Sequence, residues 1–420
     1  MNIEVIKNII IEGQELLPEL QISRREFLFE PQARYVMVGV RQSGKSFLLY
    51  LRAMQLIEEG HDIKEMLFIN FDDERLIGMK ADELDLILQA YSSLYDIKPV
   101  IFLDEIQNVE GWEHFARRLA NQKYHVYVIG SNAKMLSKEI ASTLGARYIE
   151  QRIFPYSFPE FLNANGIHID KNWNYGKTKG DVSRLLGQYF QWGGFPEILN
   201  YINKRQWLNE LYEKIILGDI LQRNSIRNEA AMRLMVKRLA ENIKNPTSYN
   251  RLANMVKAVG ISTNTASILG YVDMCKEACL LFTLDNYASK FVEKETVKKH
   301  YFVDNGLLHI FLTDSDTALL ENICAVTLYR NSFREDEKKV YFYNKEVEID
   351  FYLPNEKRGI QACYSLEDSM TEEREVKALI EFDRLYGLSK AEIVTYSEER
   401  TITTSNLKID VIPLAKWLLQ

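Results

Sequence analysis

One glycine-rich segment limits the fold of this 420-residue chain more than any other feature. Residues 39–46 read GVRQSGKS, which fits the pattern G-x-x-x-x-G-K-[ST]. A short apolar run precedes the segment, and the apolar spacing of residues 47–57 predicts a helix behind it. Loops in this context wrap phosphate oxygens with backbone N–H groups, and the start of the helix adds positive potential. The segment therefore predicts a phosphate-binding loop between a strand and a helix.

Short apolar runs alternate with longer helix-like segments on both sides of this loop. The runs are residues 35–38, 66–69, 100–103, 126–129 and 148–149, and residues 1 to about 33 are predicted to be helical. Runs of this kind are typical of parallel strands that are buried on both faces, with helices as the crossover connections. We therefore expect an α/β nucleotide-binding core over residues 1–153.

The loop and the run 100–103 carry the residues that are expected to act on a nucleotide. Lys45 is predicted to reach the β- and γ-phosphates, and the Ser46 hydroxyl to ligate Mg²⁺. Asp104 is placed to hold Mg²⁺ through water, and Glu105 to polarise the attacking water. Two adjacent acids at a strand end also suit a solvated turn, an interpretation that the nearby loop weakens. The residues predicted to bind ATP are Gly39, Arg41, Gln42, Ser43, Gly44, Lys45, Ser46 and Phe47.

Two polar residues farther along the chain are predicted to complete the site. Asn132 follows the run 126–129 and is expected to contact the γ-phosphate or the water beside Glu105, with Ser131 as the second choice. A helix cap is the alternative role. Arg147 is predicted to reach a neighbouring subunit's γ-phosphate as an arginine finger, against the alternative of an ordinary surface arginine. A finger of this kind predicts a homo-oligomeric ring, with a hexamer as one candidate size.

Six motifs together resemble a known family. They are GVRQSGKS (39–46), FLDEIQ (102–107), GSNAKMLSKEIASTLGAR (130–147), IFPYSFPEF (153–161), GGFPE (193–197) and HYFVDNGL (300–307), with a weaker match at IQACYS (360–365). The sequence resembles the bacterial and archaeal AAA+ ATPases that carry a C-terminal domain of unknown function. The resemblance implies an α/β P-loop NTPase core, a helical lid or linker (154–230), a winged-helix domain (231–310) and a restriction-endonuclease-like domain (311–420). The family's second-sensor arginine has no clear counterpart, and Arg223 is a candidate only.

The middle of the chain raises the question of DNA binding. Residues 248–259 and 262–278 have helix-turn-helix character, and Asn264, Thr265 and Ser267 are candidates for base contacts. Phosphate contacts would have to come from two basic clusters, although such charge runs are usually solvated faces. The clusters are Arg223, Arg227, Arg233, Lys237 and Arg238, and then Lys290, Lys294, Lys298 and Lys299. The sequence therefore leaves DNA contact and protein packing open as alternatives.

The C-terminal region lacks the pattern of an active nuclease. Folds of this kind place an acid on one strand and Glu-x-Lys on the next, so that two carboxylates hold a metal ion and the lysine assists the water. Here Glu321, Asp350 and Gln361-Ala362-Cys363 stand in the corresponding places. Glutamine cannot supply an anionic ligand, and cysteine cannot replace the lysine cation. We therefore expect a scaffold that binds or assembles and does not cleave.

Composition excludes several classes of protein. With 52 Lys+Arg against 59 Asp+Glu the net charge is −7, which argues against a generally basic nucleic-acid coat. Four cysteines fit neither a disulfide framework nor a zinc pair, so buried thiols and a cytoplasmic location are expected, without a membrane span. The leading hypothesis is a Mg²⁺-dependent ATP-hydrolysing motor that remodels branched or duplex DNA. The competing hypothesis is an ATP-dependent signalling switch that recruits a protein partner.

Overall fold

A five-stranded parallel sheet lies at the centre of the part of the chain that carries the glycine-rich loop. Its strands are β1 (Tyr35–Val38), β2 (Met66–Asn70), β3 (Val100–Asp104), β4 (His125–Gly130) and β5 (Ile149–Arg152), in the spatial order β2-β3-β4-β1-β5. Every residue of β1 and β3 is buried. The predicted α/β core is confirmed, whereas β5 is exposed or half-buried and not buried on both faces as predicted.

The computed structural model describes residues 1–289, 296–334, 339–404 and 407–420. The chain divides into two units, of which the first comprises residues 1–154 with 277–279. The second comprises residues 155–276 and 280–420. Among the described residues, none of the helices combines the length and the apolar character needed to cross a bilayer.

Five helices surround the sheet of the first unit: α1 (Ile3–Leu16), α2 (Lys45–Glu58), α3 (Asp85–Leu94), α4 (Trp112–Asn121) and α5 (Lys138–Leu144). The prediction of helix up to about residue 33 is wrong beyond Leu16. The chain passes through a short 3₁₀ turn that contains Pro18, a residue that disfavours continuation of a helix. The apolar residues that follow are irregular in backbone structure, and Phe27 and Phe29 pack against the core around Tyr35.

The second unit begins with helices, as the sequence predicts for residues 156–230. They are α6 (Phe158–Ala164), α7 (Gly176–Trp192) and α8 (Lys204–Lys214). The last continues into a π-helix over Ile215–Gln222, which ends next to Arg223. Arg223 lies 3.5 Å from the Asp219 carboxylate, so its charge is balanced within the same helix.

A small three-stranded antiparallel sheet follows. Its strands are β6 (Thr247–Ser248), β7 (Leu281–Asp285) and β8 (Val297–Phe302), in the order β6-β8-β7. Three helices accompany it: α9 (Glu229–Glu241), α10 (Tyr249–Lys257) and α11 (Thr265–Glu277). The helices predicted within residues 248–259 and 262–278 are confirmed as α10 and α11, whereas the two-residue β6 carries no sequence pattern. The predicted basic residues Lys290 and Lys294 lie outside the described residues.

A six-stranded mixed sheet completes the second unit. Its strands are β9 (Tyr341–Asn344), β10 (Glu348–Leu353), β11 (Arg358–Ala362), β12 (Lys390–Thr395), β13 (Arg400–Thr403) and β14 (Lys408–Pro413), in the order β13-β14-β12-β11-β10-β9. Its helices are α12 (Asn305–His309), α13 (Asp316–Arg334), α14 (Ser369–Tyr386) and α15 (Leu414–Leu418). The apolar run 391–396 predicts the last strand of the chain, but two further strands, β13 and β14, follow β12. The polar, largely exposed β13 gives no apolar signal.

Candidate nucleotide-binding site

The glycine-rich loop connects β1 to α2 and takes a backbone path that its glycines permit. Gly44 has a φ of 86° and stands at the N-terminus of α2. Gly39 needs to lack a side chain because a Cβ atom there would lie 2.1 Å from the carbonyl oxygen of Ile153. The sequence therefore folds into a loop that opens directly onto the first turn of a helix, as the pattern predicts.

Arg25 fixes the loop from the segment before β1. Its guanidinium donates to the carbonyl oxygen of Ser43 at 3.1 Å and to that of Phe154 at 2.8 Å. No sequence pattern assigned Arg25 this contact, because it depends on residues 18 and 129 positions away.

Lys45 is buried at the centre of the loop. Its Nζ donates to the carbonyl oxygens of Gly39 and Val40, each at 3.1 Å, and lies 3.9 Å from Glu105 Oε1. The predicted phosphate-binding lysine is thus close to the predicted general base.

Asp104 lies at the carboxyl end of β3 and faces Ser46. The Ser46 hydroxyl donates to Asp104 Oδ2 at 2.6 Å. The other carboxylate oxygen, Oδ1, is buried and has no hydrogen-bond partner among the described residues. Burial, helped by the charge of Glu105, raises the pKa of Asp104 to about 7. A hydroxyl and an unsatisfied carboxylate oxygen fit the ligand preference of Mg²⁺.

Glu105 follows Asp104 in a left-handed backbone conformation, with a φ of 52°. The backbone N–H and the hydroxyl of Ser131 donate to its Oε2 atom at 3.3 and 2.9 Å. Ser131 directly follows β4, so two neighbouring strands bring these side chains together. Four of the residues with predicted roles in hydrolysis or metal binding therefore converge, namely Lys45, Ser46, Asp104 and Glu105.

The other predicted residues have local partners. The Asn132 side chain accepts from the Lys134 N–H at 2.9 Å, the capping role that was its alternative. Arg147 is exposed and donates to Asn121 Oδ1 at 2.7 Å and to the Gly145 carbonyl oxygen at 2.9 Å. Arg41 lies 4.0 Å from Asp72, and Phe47 is partly exposed. The nucleotide-related roles of these residues stay predictions.

A second carboxylate cluster lies in the second unit and contains Glu321 and Asp350. Lys299 of β8 is fully buried, and its Nζ lies 3.0 Å from both Glu321 Oε1 and Asp350 Oδ1. The remaining Asp350 oxygen accepts from the Ala362 N–H, and the Gln361 side chain bonds to the backbone of β10. The prediction that Lys299 belongs to a basic surface cluster is wrong.

Other cations of the predicted DNA-binding clusters are paired with acids. Arg233 donates to Glu213 at 2.7 Å and to Glu229 at 2.6 Å. Arg238 pairs with Glu241, and Lys298 pairs with Asp285. Much of the positive charge that the sequence shows in this region is thus balanced by the chain itself.

Comparison with known proteins agrees with the geometry of the loop. Residues 32–162 match a family described as an AAA domain, and residues 183–318 match a domain of unknown function (DUF8612). The first unit is therefore the α/β core of a P-loop ATPase of the AAA class, as the resemblance implied.

Two uncharacterized relatives match this chain over nearly its whole length. The chain is 30% identical to the uncharacterized protein MJ1544 of Methanocaldococcus jannaschii, over 99% of this chain and 95% of the relative. It is 27% identical to an uncharacterized protein of Haemophilus influenzae, over 92% and 94% of the two chains. The chain belongs to the same protein family as the archaeal protein.

Three solved structures show weak likeness. The Walker-type ATPase of Pyrococcus abyssi has a TM-score of 0.42 and 13% identity, covering 70% of this chain and 99% of that one. Cdc6p of Pyrobaculum aerophilum has a TM-score of 0.26 and 14% identity, with 75% and 95% covered. AMPPCP-bound DnaA of Aquifex aeolicus has a TM-score of 0.26 and 13% identity, with 64% and 88% covered.

Proposed function

We propose that this protein binds ATP at the β1–α2 loop and hydrolyses it in a Mg²⁺-dependent reaction. The observation that carries the proposal is the Asp104 carboxylate: one oxygen is bonded to Ser46, and the other is buried without a partner among the described residues. Such a group costs free energy unless a ligand completes it. Mg²⁺, when bound, supplies positive charge that offsets the charge of the phosphate oxygens.

Different residues of the chain have different roles in the proposed hydrolysis. The loop N–H groups and the start of α2 bind phosphate oxygens, and Lys45 adds a positive charge close to them. Glu105 accepts the proton of the attacking water through Oε1, the oxygen that lies towards Lys45. Ser46 and Asp104 are the residues that would hold Mg²⁺.

Two variants test this assignment. Glu105→Gln is expected to retain ATP binding and lose turnover, because the amide cannot take the proton. Lys45→Ala is expected to weaken ATP binding itself. Glu110→Gln, an exposed acid nearby, is the matched control and is expected to behave as wild type. Steady-state hydrolysis and fluorescent-nucleotide binding separate the outcomes, and unchanged hydrolysis in both site variants would contradict the proposal.

We propose that the protein acts as a homo-oligomeric ring in which Arg147 serves the neighbouring subunit. The exposed position of Arg147 after α5 supports this role. Mixing two inactive variants provides the test. Arg147→Ala retains the base, and Glu105→Gln retains the finger, so a mixed ring contains complete sites and recovers hydrolysis. Failure of the mixture to recover activity, with both variants oligomeric by light scattering, would contradict a finger in trans.

We propose that residues 231–310 form a winged-helix domain that contacts DNA. We also propose that residues 311–420 form an endonuclease-like scaffold without cleavage activity. In this proposal the helical region 154–230 joins both domains to the core. The order α9-β6-α10-α11-β7-β8 supports the first, and exposed Asn264 and Thr265 at the start of α11 offer polar groups for base edges. Hydrolysis is measured with single-stranded, duplex and four-way branched DNA at two salt concentrations. Salt-sensitive stimulation by one form identifies the substrate.

The second candidate function is an ATP-dependent switch that recruits a protein partner. The ion pairs of Arg233, Arg238 and Lys298 favour it, because they reduce the charge available to phosphates. Val259, which follows α10, and Leu269, which lies on α11, add exposed apolar surface. Turnover that is indifferent to every DNA form would favour this switch over the motor.

A further inference from the structure

Gln107, in the turn that follows β3, contacts the same carboxylate oxygen of Glu105 that Ser131 contacts. Gln107 lies in the 3₁₀ turn Ile106–Asn108, and its Nε2 donates to Glu105 Oε2 in a short hydrogen bond. The same nitrogen lies 3.5 Å from the Ser131 hydroxyl. Glu105 Oε2 therefore accepts from three donors: the Gln107 amide, the Ser131 hydroxyl and the Ser131 backbone N–H.

The two oxygens of Glu105 are consequently unlike. Oε2 is saturated by donors from the turn after β3 and from the end of β4. Oε1 lies 3.9 Å from Lys45 Nζ, on the side of the phosphate loop. A carboxylate that is held at one oxygen presents the other in a fixed direction, which is what a general base requires.

The contact of Gln107 is unfavourable for folding in two respects. Its Oε1 is buried and has no hydrogen-bond partner among the described residues, which costs free energy. The amide also occupies space beside Gly130, where a Cβ atom would lie 2.1 Å from Gln107 Oε1 and 2.3 Å from Met135 Sδ. A buried polar group that lacks a partner is commonly retained for function and not for stability.

We propose that Gln107 and Ser131 are positioning residues for hydrolysis, which hold Glu105 Oε2 so that Oε1 faces the attacking water. The proposal rests on the proposed function of Glu105 as the base. Gly130 contributes to this positioning because it leaves room for the Gln107 amide.

Gln107→Leu removes the amide and keeps an apolar side chain of similar reach. We expect kcat to fall about tenfold to a hundredfold through misorientation of Glu105. The KM for ATP and the Kd for nucleotide are expected to stay within twofold, because Gln107 does not line the phosphate loop. The melting temperature is expected to stay equal or rise, since the unsatisfied oxygen is gone. Gly130→Ala, which displaces the amide, and Ser131→Ala are expected to lower kcat in the same way.

The controls separate positioning from a general structural effect. Gln89→Leu makes the same change at an exposed glutamine of α3 and is expected to leave kcat unchanged. Adding Gln107→Leu to Glu105→Gln is expected to change the residual turnover less than twofold, because Gln107 acts through Glu105.

The outcomes that overturn the proposal are distinct from those that overturn the proposed function. If Glu105→Gln turns over like wild type, the function assigned to Glu105 fails and the positioning role fails with it. If Glu105→Gln is inactive while Gln107→Leu keeps or exceeds the wild-type kcat, only the positioning role fails. An equal loss with and without the Glu105 carboxylate would likewise overturn it.

Discussion

The protein contains two sites with a buried carboxylate, and the two sites differ in which group balances the buried negative charge. Asp104 lies at the end of β3 in the first unit, and Glu321 lies on α13 in the second. Burial raises the pKa of each to about 7. At Glu321 the chain provides the counter-charge, since Lys299 Nζ lies 3.0 Å from both Glu321 and Asp350. At Asp104 one oxygen has no partner among the described residues.

The difference shows how the source of the counter-charge decides what a buried acid does. The charges of Glu321, Asp350 and Glu348 keep the pKa of the Lys299 ammonium above its ordinary value, although burial alone lowers it. In that cluster the chain itself supplies the counter-charge. At Asp104 the carboxylate oxygen that lacks a partner in the described part of the chain is the reason that we propose a ligand there. The presence of acids near a strand end does not show whether a cation of the chain balances them or whether an oxygen stays without a partner.

The largest expected effect is on stability, at Lys299. Lys299→Met leaves buried carboxylates without a cation and is expected to lower the free energy of unfolding by about 3–5 kcal/mol. Turnover per folded molecule at the loop is expected to persist. Urea unfolding measures the loss, and Lys257→Met, at an exposed lysine, is the control.

The loss at Lys299 is expected to depend on pH. Carboxyl groups with a raised pKa bind protons more tightly in the folded state, so stability falls as the pH rises from their unfolded pKa through their folded pKa. The variant is therefore expected to be less stable at pH 8 than at pH 5.5. Addition of Asp350→Asn is expected to recover part of the loss. A variant as stable as the Lys257→Met control would show that the cluster contributes nothing to the fold.

The opposite result is expected at Asp104. Asp104→Asn is expected to lower turnover about a hundredfold, because the metal site loses its anionic oxygen. Stability is expected to stay equal or rise, since the change removes a buried charge. Asp82→Asn, at an exposed acid, should affect neither quantity. Loss of stability at Asp104 without loss of turnover would remove the distinction between the two sites.

Sequence patterns predicted that Lys45, Ser46, Asp104 and Glu105 lie together because these residues belong to local motifs. The strand, loop and helix around residues 39–46 fix the positions of Lys45 and Ser46, and β3 lies beside β4 in the same sheet. The burial of Lys299 could not be read in the same way. Strand periodicity places neighbouring residues on opposite faces, so the pair Lys298-Lys299 had to put one lysine inwards. Which one is buried depends on Glu321 and Asp350, which are 22 and 51 residues away.

The contact of Gln107 with Glu105 also could not be predicted from local sequence patterns. The motif FLDEIQ predicts roles for Asp104 and Glu105 because acids carry the expected chemistry. The contact of Gln107 with Glu105 depends on the room that Gly130 leaves on the neighbouring strand. Contacts of this kind arise from packing between strands, and no single-strand pattern encodes them.

A smaller effect is expected from the titration of Asp104. Because its pKa is raised to about 7, Mg²⁺ must displace a proton from this carboxyl group below that pH. The Mg²⁺ concentration for half-maximal turnover is expected to be about tenfold higher at pH 6 than at pH 8. Asp104→Asn removes this titration, so its residual pH dependence reports ATP alone. Equal dependence in both proteins would show that Asp104 does not ligate the ion.

The smallest expected effect concerns Asn132, the second residue after β4. As for the two carboxylate sites, the test is whether this side chain contributes to stability or to turnover. Its side-chain oxygen caps the following turn, so Asn132→Ala is expected to cost about 1 kcal/mol of stability. Asn132→Asp keeps the capping oxygen and replaces the amide with a negative charge. If Asn132 also contacts the γ-phosphate, this variant keeps its stability and loses about tenfold in turnover. Ser137→Ala removes the neighbouring cap of α5 and controls for a purely structural loss. Wild-type turnover in Asn132→Asp would assign Asn132 to the fold alone, as at Lys299.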